Sequence, residues 1–207
     1  MTTATTVFAA SAPFRTVHHG RFRILVTDNR ITSGQHLVLV KGRVTDRPAV
    51  ACRVASACIT STALDADDCD CAGQNRTALD IIDADGMGVL IHLDQEGRGN
   101  GLVAKIRALN GKEAGLDTFT AIEALGLPAD NRNYSDVARI LHELRVPSIR
   151  LLTNNPAKVA AVADTGVVVV ARLPCLDFDP PRRSLRHLAA KADRGHLLPH
   201  RPEPDAR

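Results

Sequence analysis

The feature of this sequence that most constrains its fold is an alternation of short apolar runs with amphipathic segments, between about residues 75 and 170. The run 88–93 is mostly apolar and favours a buried strand, whereas 135–144 repeats its apolar residues at helical spacing. The same patterns predict further strands at 149–152 and 167–170, and further helices at 77–84, 102–109 and 156–164. Strands that alternate with helices predict an α/β domain.

The part of the chain before this alternation favours a different kind of sheet. Three short β-branched runs, at 21–27, 36–40 and 50–54, are separated by polar turns and predict an antiparallel arrangement. The chain is therefore expected to form a single compact α/β domain over residues 16–198, with a mixed sheet and flanking helices. The two ends are expected to be disordered, at 1–15 and at the proline- and charge-rich 199–207.

Composition narrows the class of protein. The chain has 207 residues, of which 44% are hydrophobic, enough to bury a sizeable core. No run of about 18 apolar residues is present to span a membrane, and the N-terminus lacks the basic start of a signal peptide. A cytoplasmic protein is expected. The net charge is only +3, and aromatic residues are only 3%, which argues against a nucleic-acid partner.

Three of the five cysteines are closely spaced and form the strongest local signal. Cys69 and Cys71 flank a single residue, and Cys58 lies a short loop upstream. Three thiolates leave the fourth tetrahedral position of a zinc ion open, as a catalytic zinc requires for water. Two other interpretations remain open: a structural zinc completed by a fourth ligand, or incidental cysteines. Cys52 and Cys175 are predicted to be core residues.

Two strand-to-helix turns are candidate anion sites. The segment 94–102, DQEGRGNGL, carries three glycines that let the backbone approach a ligand closely, and Arg98 could bind a phosphate there. A tight surface turn is the alternative. In 151–158, LLTNNPAK, Thr153 or an asparagine is expected to cap the helix. Lys158 lies in the first turn, where the helix dipole disfavours a cation unless an anion binds beside it. Ordinary capping with a solvated lysine is the alternative.

Taken together, these segments resemble the GTP cyclohydrolase II family over roughly residues 15–198. The motifs that carry the resemblance are RVASAC (53–58), CDCAGQ (69–74), DQEGRGNGL (94–102), KIRAL (105–109), LDT (116–118), LPADNR (127–132), LLTNNPAKV (151–159) and GHLL (195–198). The resemblance implies a compact α/β fold, usually in a homodimer. It also implies conversion of GTP to a diaminopyrimidine ribonucleotide, formate and pyrophosphate, at the entry to riboflavin synthesis. Zinc would serve ring opening, and Mg²⁺ would accompany the triphosphate.

The resemblance also implies roles for individual residues. Asp130 matches the proposed proton acceptor, and Arg132 matches an arginine proposed to attack the α-phosphate. Because a guanidinium is charged at any ordinary pH, electrostatic clamping of the phosphate is a rival role for Arg132. The zinc ligands that the resemblance implies are Cys58, Cys69 and Cys71. The nucleotide contacts that it implies are Arg53, Ser56, Gln74, Glu96, Gly97, Arg98, Thr118, Thr153 and Lys158.

The sequence departs from the family pattern close to the expected reacting atoms. Ala55 and Ala57 stand where the family has His and Glu, and Leu109 stands where it has a catalytic tyrosine. The chain's one tyrosine, Tyr134, lies elsewhere. Three hypotheses follow: ordinary drift in a GTP cyclohydrolase II, a cyclohydrolase that stops at the formamidopyrimidine or takes another heterocycle, or a non-catalytic nucleotide-binding paralogue. The hypothesis of an altered substrate or product is preferred over drift, because the polar losses are concentrated at the expected reaction site.

Overall fold

The computed structural model describes residues 6–177 and 179–198. Their strands are β1 (Phe8–Thr16), β2 (Gly20–Thr27), β3 (Leu37–Lys41), β4 (Val50–Ser56), β5 (Gly88–Leu93), β6 (Ile149–Leu152) and β7 (Val169–Leu173). Their helices are α1 (Ile59–Thr62), α2 (Cys71–Ala84), α3 (Gly101–Glu113), α4 (Thr118–Glu123), α5 (Ser135–Glu143), α6 (Pro156–Ala163) and α7 (Ser184–Asp193), and a short 3₁₀ turn spans Glu96–Gly99. None of the helices in these ranges is both long enough and apolar enough to cross a membrane.

All the strands belong to one mixed sheet in the order β1-β2-β3-β5-β4-β6-β7. The half that contains β1, β2 and β3 is antiparallel, and β3 also runs antiparallel to β5. The other half, from β5 to β7, is parallel. The predicted α/β class and mixed sheet are therefore confirmed. The strand predicted at 50–54 is not antiparallel, because α2 connects β4 to β5 and a crossover helix requires parallel neighbours.

The predicted disorder of residues 1–15 is wrong for the part that forms β1. This strand forms a hairpin with β2 that pairs regularly from Ala10 opposite Val26 to Thr16 opposite Gly20, with a register shift between Ala10 and Phe8. Its small, mostly exposed side chains give no apolar alternation, so only backbone pairing with β2 defines it. Residues 1–5 and 199–207, for which disorder was also predicted, lie outside the described residues.

The core has two layers, one on each face of the sheet. On one face, α5 packs Val137 and Ile140 against strand residues such as Val54 and Ile91. On the other face, α2 packs Ala78 and Ile82 against a cluster that includes Ala51, Leu90, Leu152 and Cys175. Cys52 and Cys175 are fully buried, which confirms their predicted place in the core. Six of the seven residues of β4 are buried, so the centre of the sheet is a rigid base for the loops that follow its strands.

Two helices begin with side-chain caps that fix the adjoining loops. Asn155 accepts a hydrogen bond from the backbone N–H of Ala157 and precedes Pro156, so the predicted asparagine cap of α6 is confirmed. Asp117 caps α4 in the same way, by accepting from two backbone N–H groups. Helix α2 has no side-chain cap and begins at Cys71, six residues earlier than the predicted helix at 77–84.

Candidate active site

A cleft opens where the carboxyl ends of the parallel strands β4, β5 and β6 meet. In open α/β sheets this edge is the usual place for ligands. Strand β4 leads into Cys58, β5 leads into the turn at Glu96, and β6 leads into Thr153, and all three residues line the cleft. Helices α2, α3 and α7 supply the remaining walls.

The three predicted metal ligands converge in this cleft. Their Sγ atoms all lie within 4.8 Å of one another, and those of Cys58 and Cys69 are 3.7 Å apart. A tetrahedral zinc ion with Zn–S bonds of about 2.3 Å places its sulfur atoms about 3.8 Å apart. The cysteine cluster therefore has the donor type and the spacing that zinc requires. Hydrogen bonds from Cys69 and Cys71, with the Lys105 ammonium, lower the pKa of the Cys58 thiol and favour its thiolate.

A lysine that the sequence analysis did not assign supports the cysteine cluster. Lys105 Nζ lies 2.9 Å from Cys58 Sγ and 2.9 Å from Glu96 Oε1. The other oxygen of Glu96 accepts a hydrogen bond of 2.8 Å from the backbone N–H of Ile59, at the start of α1. Glu96, predicted as a nucleotide contact, thus also fixes the segment that carries Cys58. Lys105 is the first residue of the KIRAL motif, and this motif was the sequence feature that could have indicated its role.

A group of buried cations faces the same cleft. Arg53 donates to the Leu152 carbonyl at 3.0 Å and to Gln74 Oε1 at 2.6 Å. Lys158 is buried, not solvated, and its Nζ donates to the Val54 carbonyl at 2.9 Å. Burial, together with the charges of Arg132 and Arg53, lowers the pKa of Lys158 well below its ordinary value. Such a concentration of positive charge favours an anionic ligand.

The glycine-rich turn is held in a left-handed backbone conformation. Gly97 and Arg98 have φ values of 59° and 58°, the latter unusual for a residue with a side chain. Gly99 must be glycine, because a Cβ there would lie 2.5 Å from the Asn131 carbonyl oxygen. The turn therefore packs directly on the segment 129–132, and it is more than the tight surface turn that the sequence left open.

Arg98 and Arg132 are joined through Asp130. Arg98 donates to Asp130 Oδ2 at 2.6 Å, and Arg132 donates through Nε to Oδ1 at 2.8 Å and through Nη2 to Oδ2. Burial raises the pKa of Asp130, but the hydrogen bonds and charges of the two arginines outweigh it and lower the pKa to about 2. Burial lowers the pKa of Arg132, but its hydrogen bond with Asp130 and the interactions with nearby acidic groups together outweigh burial and raise the pKa.

The cleft brings together thirteen of the fourteen predicted site residues. The exception is Asp130, which lies behind the cleft wall and touches it through Arg132. Helix α7 and the segment after it add residues to which the sequence analysis gave no role: His187, Lys191 and His196. His187 shares a hydrogen bond of 3.0 Å with Thr118. His196 belongs to the GHLL segment of the resemblance, whereas His187 and Lys191 lie outside its motifs and reach the site only in the folded structure.

The cleft also holds buried polar atoms without partners among the described residues. Among the described residues, five have a buried side-chain nitrogen or oxygen that makes no hydrogen bond. All five line the cleft: Arg53, Ser56, Asp68, Asn75 and His196. Unpartnered buried polar groups are costly and are usually satisfied by water or a ligand. Their concentration in one cleft indicates a site built for a polar ligand.

The departures from the family pattern lie on the same cleft. Ala55, Ala57 and Leu109 all line it and give it an apolar side near the cysteines. Tyr134 is not among the residues that line the cleft: it is buried in the core cluster, and the centre of its ring lies 5.7 Å from Lys158 Nζ. Burial raises the pKa of Tyr134.

This fold and this site define an α/β enzyme with a three-cysteine group suited to a metal. The family model described as GTP cyclohydrolase II matches residues 7–174. The chain belongs to the GTP cyclohydrolase II family, a family of hydrolases.

Curated relatives agree with this assignment. GTP cyclohydrolase-2 of Actinobacillus succinogenes is 42% identical over 182 residues, covering 87% of this chain and 83% of the relative. GTP cyclohydrolase-2 of Pseudomonas entomophila is 44% identical over 168 residues, covering 81% and 82%. Riboflavin biosynthesis protein RibBA of Chlorobium phaeovibrioides is 39% identical over 181 residues, but this chain spans only 44% of its length.

Proposed function

We propose that this chain is a zinc-dependent cyclohydrolase that opens the imidazole ring of GTP or a related purine nucleotide, with loss of pyrophosphate and formate. One observation carries the proposal: the cysteine cluster and the cations Arg53, Arg132 and Lys158 line one cleft. A purine nucleoside triphosphate offers both an anionic tail and a ring to hydrolyse. The names of the two cyclohydrolase relatives support the same substrate.

The metal would be held by Cys58, Cys69 and Cys71, whose spacing fits zinc. Bound there, zinc would supply Lewis acidity and a water nucleophile near neutral pH, through its open fourth position. Lys105 contributes by compensating the charge of the Cys58 sulfur through its hydrogen bond of 2.9 Å. Mg²⁺ would accompany the triphosphate only as its counter-ion.

The cationic side chains bind and orient the triphosphate. Asp130 keeps Arg132 charged and fixes its orientation, so clamping of the α-phosphate suits Arg132 better than nucleophilic attack. Asp130 itself has a pKa of about 2, which makes it a weak base. We therefore assign it to the positioning of Arg98 and Arg132 in preference to proton transfer.

The remaining predicted contacts recognise the nucleoside. Ser56 Oγ is buried without a partner among the described residues, and a ligand in the cleft would satisfy it. Gln74 is fixed by Arg53 and presents its amide beside the cysteine turn. Gly97, Thr118 and Thr153 line the same walls and complete the nucleoside site.

A second version of the proposal concerns how far the reaction goes. The apolar side formed by Ala55, Ala57 and Leu109 offers no proton donor or acceptor where the family has three polar residues. A cyclohydrolase with this wall is expected to stop at the formamidopyrimidine, or to take another heterocycle in a specialised pathway. This version keeps the metal and phosphate sites unchanged.

The test is incubation of zinc-loaded protein with GTP and Mg²⁺, with products followed by mass spectrometry and with formate and pyrophosphate assayed in parallel. Formate with the diaminopyrimidine supports full GTP cyclohydrolase II activity. A formamide product without formate supports the second version. Absence of turnover with GTP and with other purine and pyrimidine nucleotides contradicts both versions.

We also propose that the chain works as a cytoplasmic homodimer. Helix α3 leaves Leu102, Val103 and Ile106 between 46% and 66% exposed, and such an apolar patch is suited to a protein interface. Light scattering on the purified protein measures the mass directly. A monomer at micromolar concentration contradicts the dimer and leaves the enzymatic proposal intact.

A further inference from the structure

A relay of buried polar contacts joins helix α7 to the turn that carries two of the cysteines. Lys191 Nζ forms an ion pair with Asp70 Oδ1, and Asp70 is the single residue between Cys69 and Cys71. Gln74 donates to Asp70 Oδ2 at 2.5 Å. Both oxygens of the Asp70 carboxylate are therefore engaged, one by a cation and one by an amide.

Burial makes the charge on Asp70 important for the metal site. Asp70 is 2% exposed and Lys191 is 8% exposed, so water screens neither charge well. Within the described ranges, Lys191 is the one cation in hydrogen-bond contact with Asp70. A buried carboxylate that loses its only such partner is strongly unfavourable.

The cysteine cluster adds further negative charge beside this carboxylate. A zinc ion held by three thiolates carries a net negative charge. Without Lys191, an uncompensated negative charge would stand on the residue between Cys69 and Cys71, which carry two of those thiolates. Repulsion would then weaken metal binding, because nearby groups that orient and balance metal ligands control affinity.

We propose that Lys191 is a positioning residue of the metal site, which sustains zinc affinity by neutralising Asp70 between Cys69 and Cys71. The proposal rests on the zinc site of the proposed function and extends it to a helix that supplies none of the three cysteines. The relay also continues to the nucleotide side of the cleft, because Gln74 accepts a hydrogen bond of 2.6 Å from Arg53.

The test is zinc affinity, measured on the full chain by competition with a chromophoric chelator. We expect Lys191→Met to weaken zinc binding by about 10- to 100-fold. We expect the double variant Lys191→Met/Asp70→Asn to recover most of that loss, because it removes the uncompensated carboxylate. The control is Lys41→Met, which breaks the ion pair with Asp83 at the other end of α2 and should leave zinc affinity unchanged.

The single variant Asp70→Asn keeps the test decisive even if Lys191→Met does not fold. It leaves the Lys191 ammonium without its ion-pair partner but creates no unpaired carboxylate between the two cysteines, so its zinc affinity should equal or exceed that of the unmodified protein. Loss of affinity in Asp70→Asn, unchanged affinity in Lys191→Met, or no recovery in the double variant would each overturn the proposal. An unmodified protein that binds no zinc would instead refute the zinc site of the proposed function.

Discussion

Arg132 and Asp130 face each other in a two-point ion pair, in which Arg132 Nε lies 2.8 Å from Asp130 Oδ1 and Nη2 binds Oδ2. Two parallel hydrogen bonds fix the plane of the guanidinium as well as its place. Arg98 donates to the same carboxylate at 2.6 Å. One aspartate outside the cleft thus sets the orientation of two arginines that line it.

The first prediction concerns Asp130→Asn. We expect kcat/KM to fall by up to about 100-fold, because small displacements of positioned groups are costly to catalysis. The shape of the pH–rate profile should not change across the neutral range, since the Asp130 pKa of about 2 keeps it ionised throughout. Loss of an acidic limb from the profile would instead support a proton-acceptor role. Asp46→Asn, which breaks an exposed pair with Arg145, is the control.

The second prediction concerns the stability of Lys158→Met. Burial lowers the pKa of Lys158 well below 10.5, so the unfolded chain binds the proton more tightly than the folded chain. The free energy of unfolding should therefore fall as pH drops below about 10.5, until the folded chain also binds the proton. Lys158→Met should lack this dependence and raise the Tm of the ligand-free protein at neutral pH by roughly 3–6 °C. Thermal unfolding over a pH series measures both effects, and a lower Tm at neutral pH would contradict this account.

The third prediction concerns nucleotide binding by the same variant. Removal of one buried cation beside Arg53 and Arg132 should weaken GTP binding by about tenfold, or about 1.4 kcal/mol. Isothermal titration calorimetry with zinc-loaded protein is the measurement. Lys41→Met, far from the cleft, provides the matched loss of one lysine. Equal affinities in all three proteins would show that Lys158 does not contact the anion.

The fourth prediction concerns the metal ligands. Cys69→Ser should reduce bound zinc from one ion per chain to nearly none, as measured by elemental analysis after gel filtration. Cys52→Ala is the control, because Cys52 is fully buried in the core and away from the cluster. Retention of zinc by Cys69→Ser would contradict the three-cysteine site.

The fifth prediction concerns Leu109→Tyr, which places a hydroxyl on the apolar side of the cleft. If the unmodified chain stops at the formamide, this variant should release more formate per pyrophosphate, because a proton donor or acceptor has been restored. Asn110→Tyr, at an exposed position of the same helix outside the cleft and the apolar patch, controls for the added ring. Identical formate ratios in the three proteins would remove Leu109 as the cause of an early stop.

The sequence predicted those parts of the fold where local pattern and burial agree. Helix α5 carries a regular apolar stripe, and β5 is a nearly continuous apolar run, so both were found close to their observed bounds. Strand β1 was missed because its side chains are mostly exposed and only its pairing with β2 defines it. The predicted antiparallel direction of β4 was wrong, because whether a strand runs parallel to its neighbours depends on the connection that follows it and not on its own residues.

The sequence predicted the site where its residues form compact motifs. The cysteine spacing indicated a metal, and the structure brings the three sulfur atoms together. The burial of Lys158 had no local signal, because its position in the first turn of α6 is equally compatible with solvent. Lys191 and His187 were missed for a related reason: each reaches the cleft only through tertiary packing of α7.

The ion pair between Asp70 and Lys191 joins residues 121 positions apart. A ribosome therefore completes all three cysteines of the metal site long before it adds the lysine that balances the charge beside them. If Lys191 sustains zinc affinity as proposed, the nascent chain holds its metal weakly until α7 has been made and has docked. Tight metal loading would then mark the last stage of maturation, and it would report that the whole domain has folded.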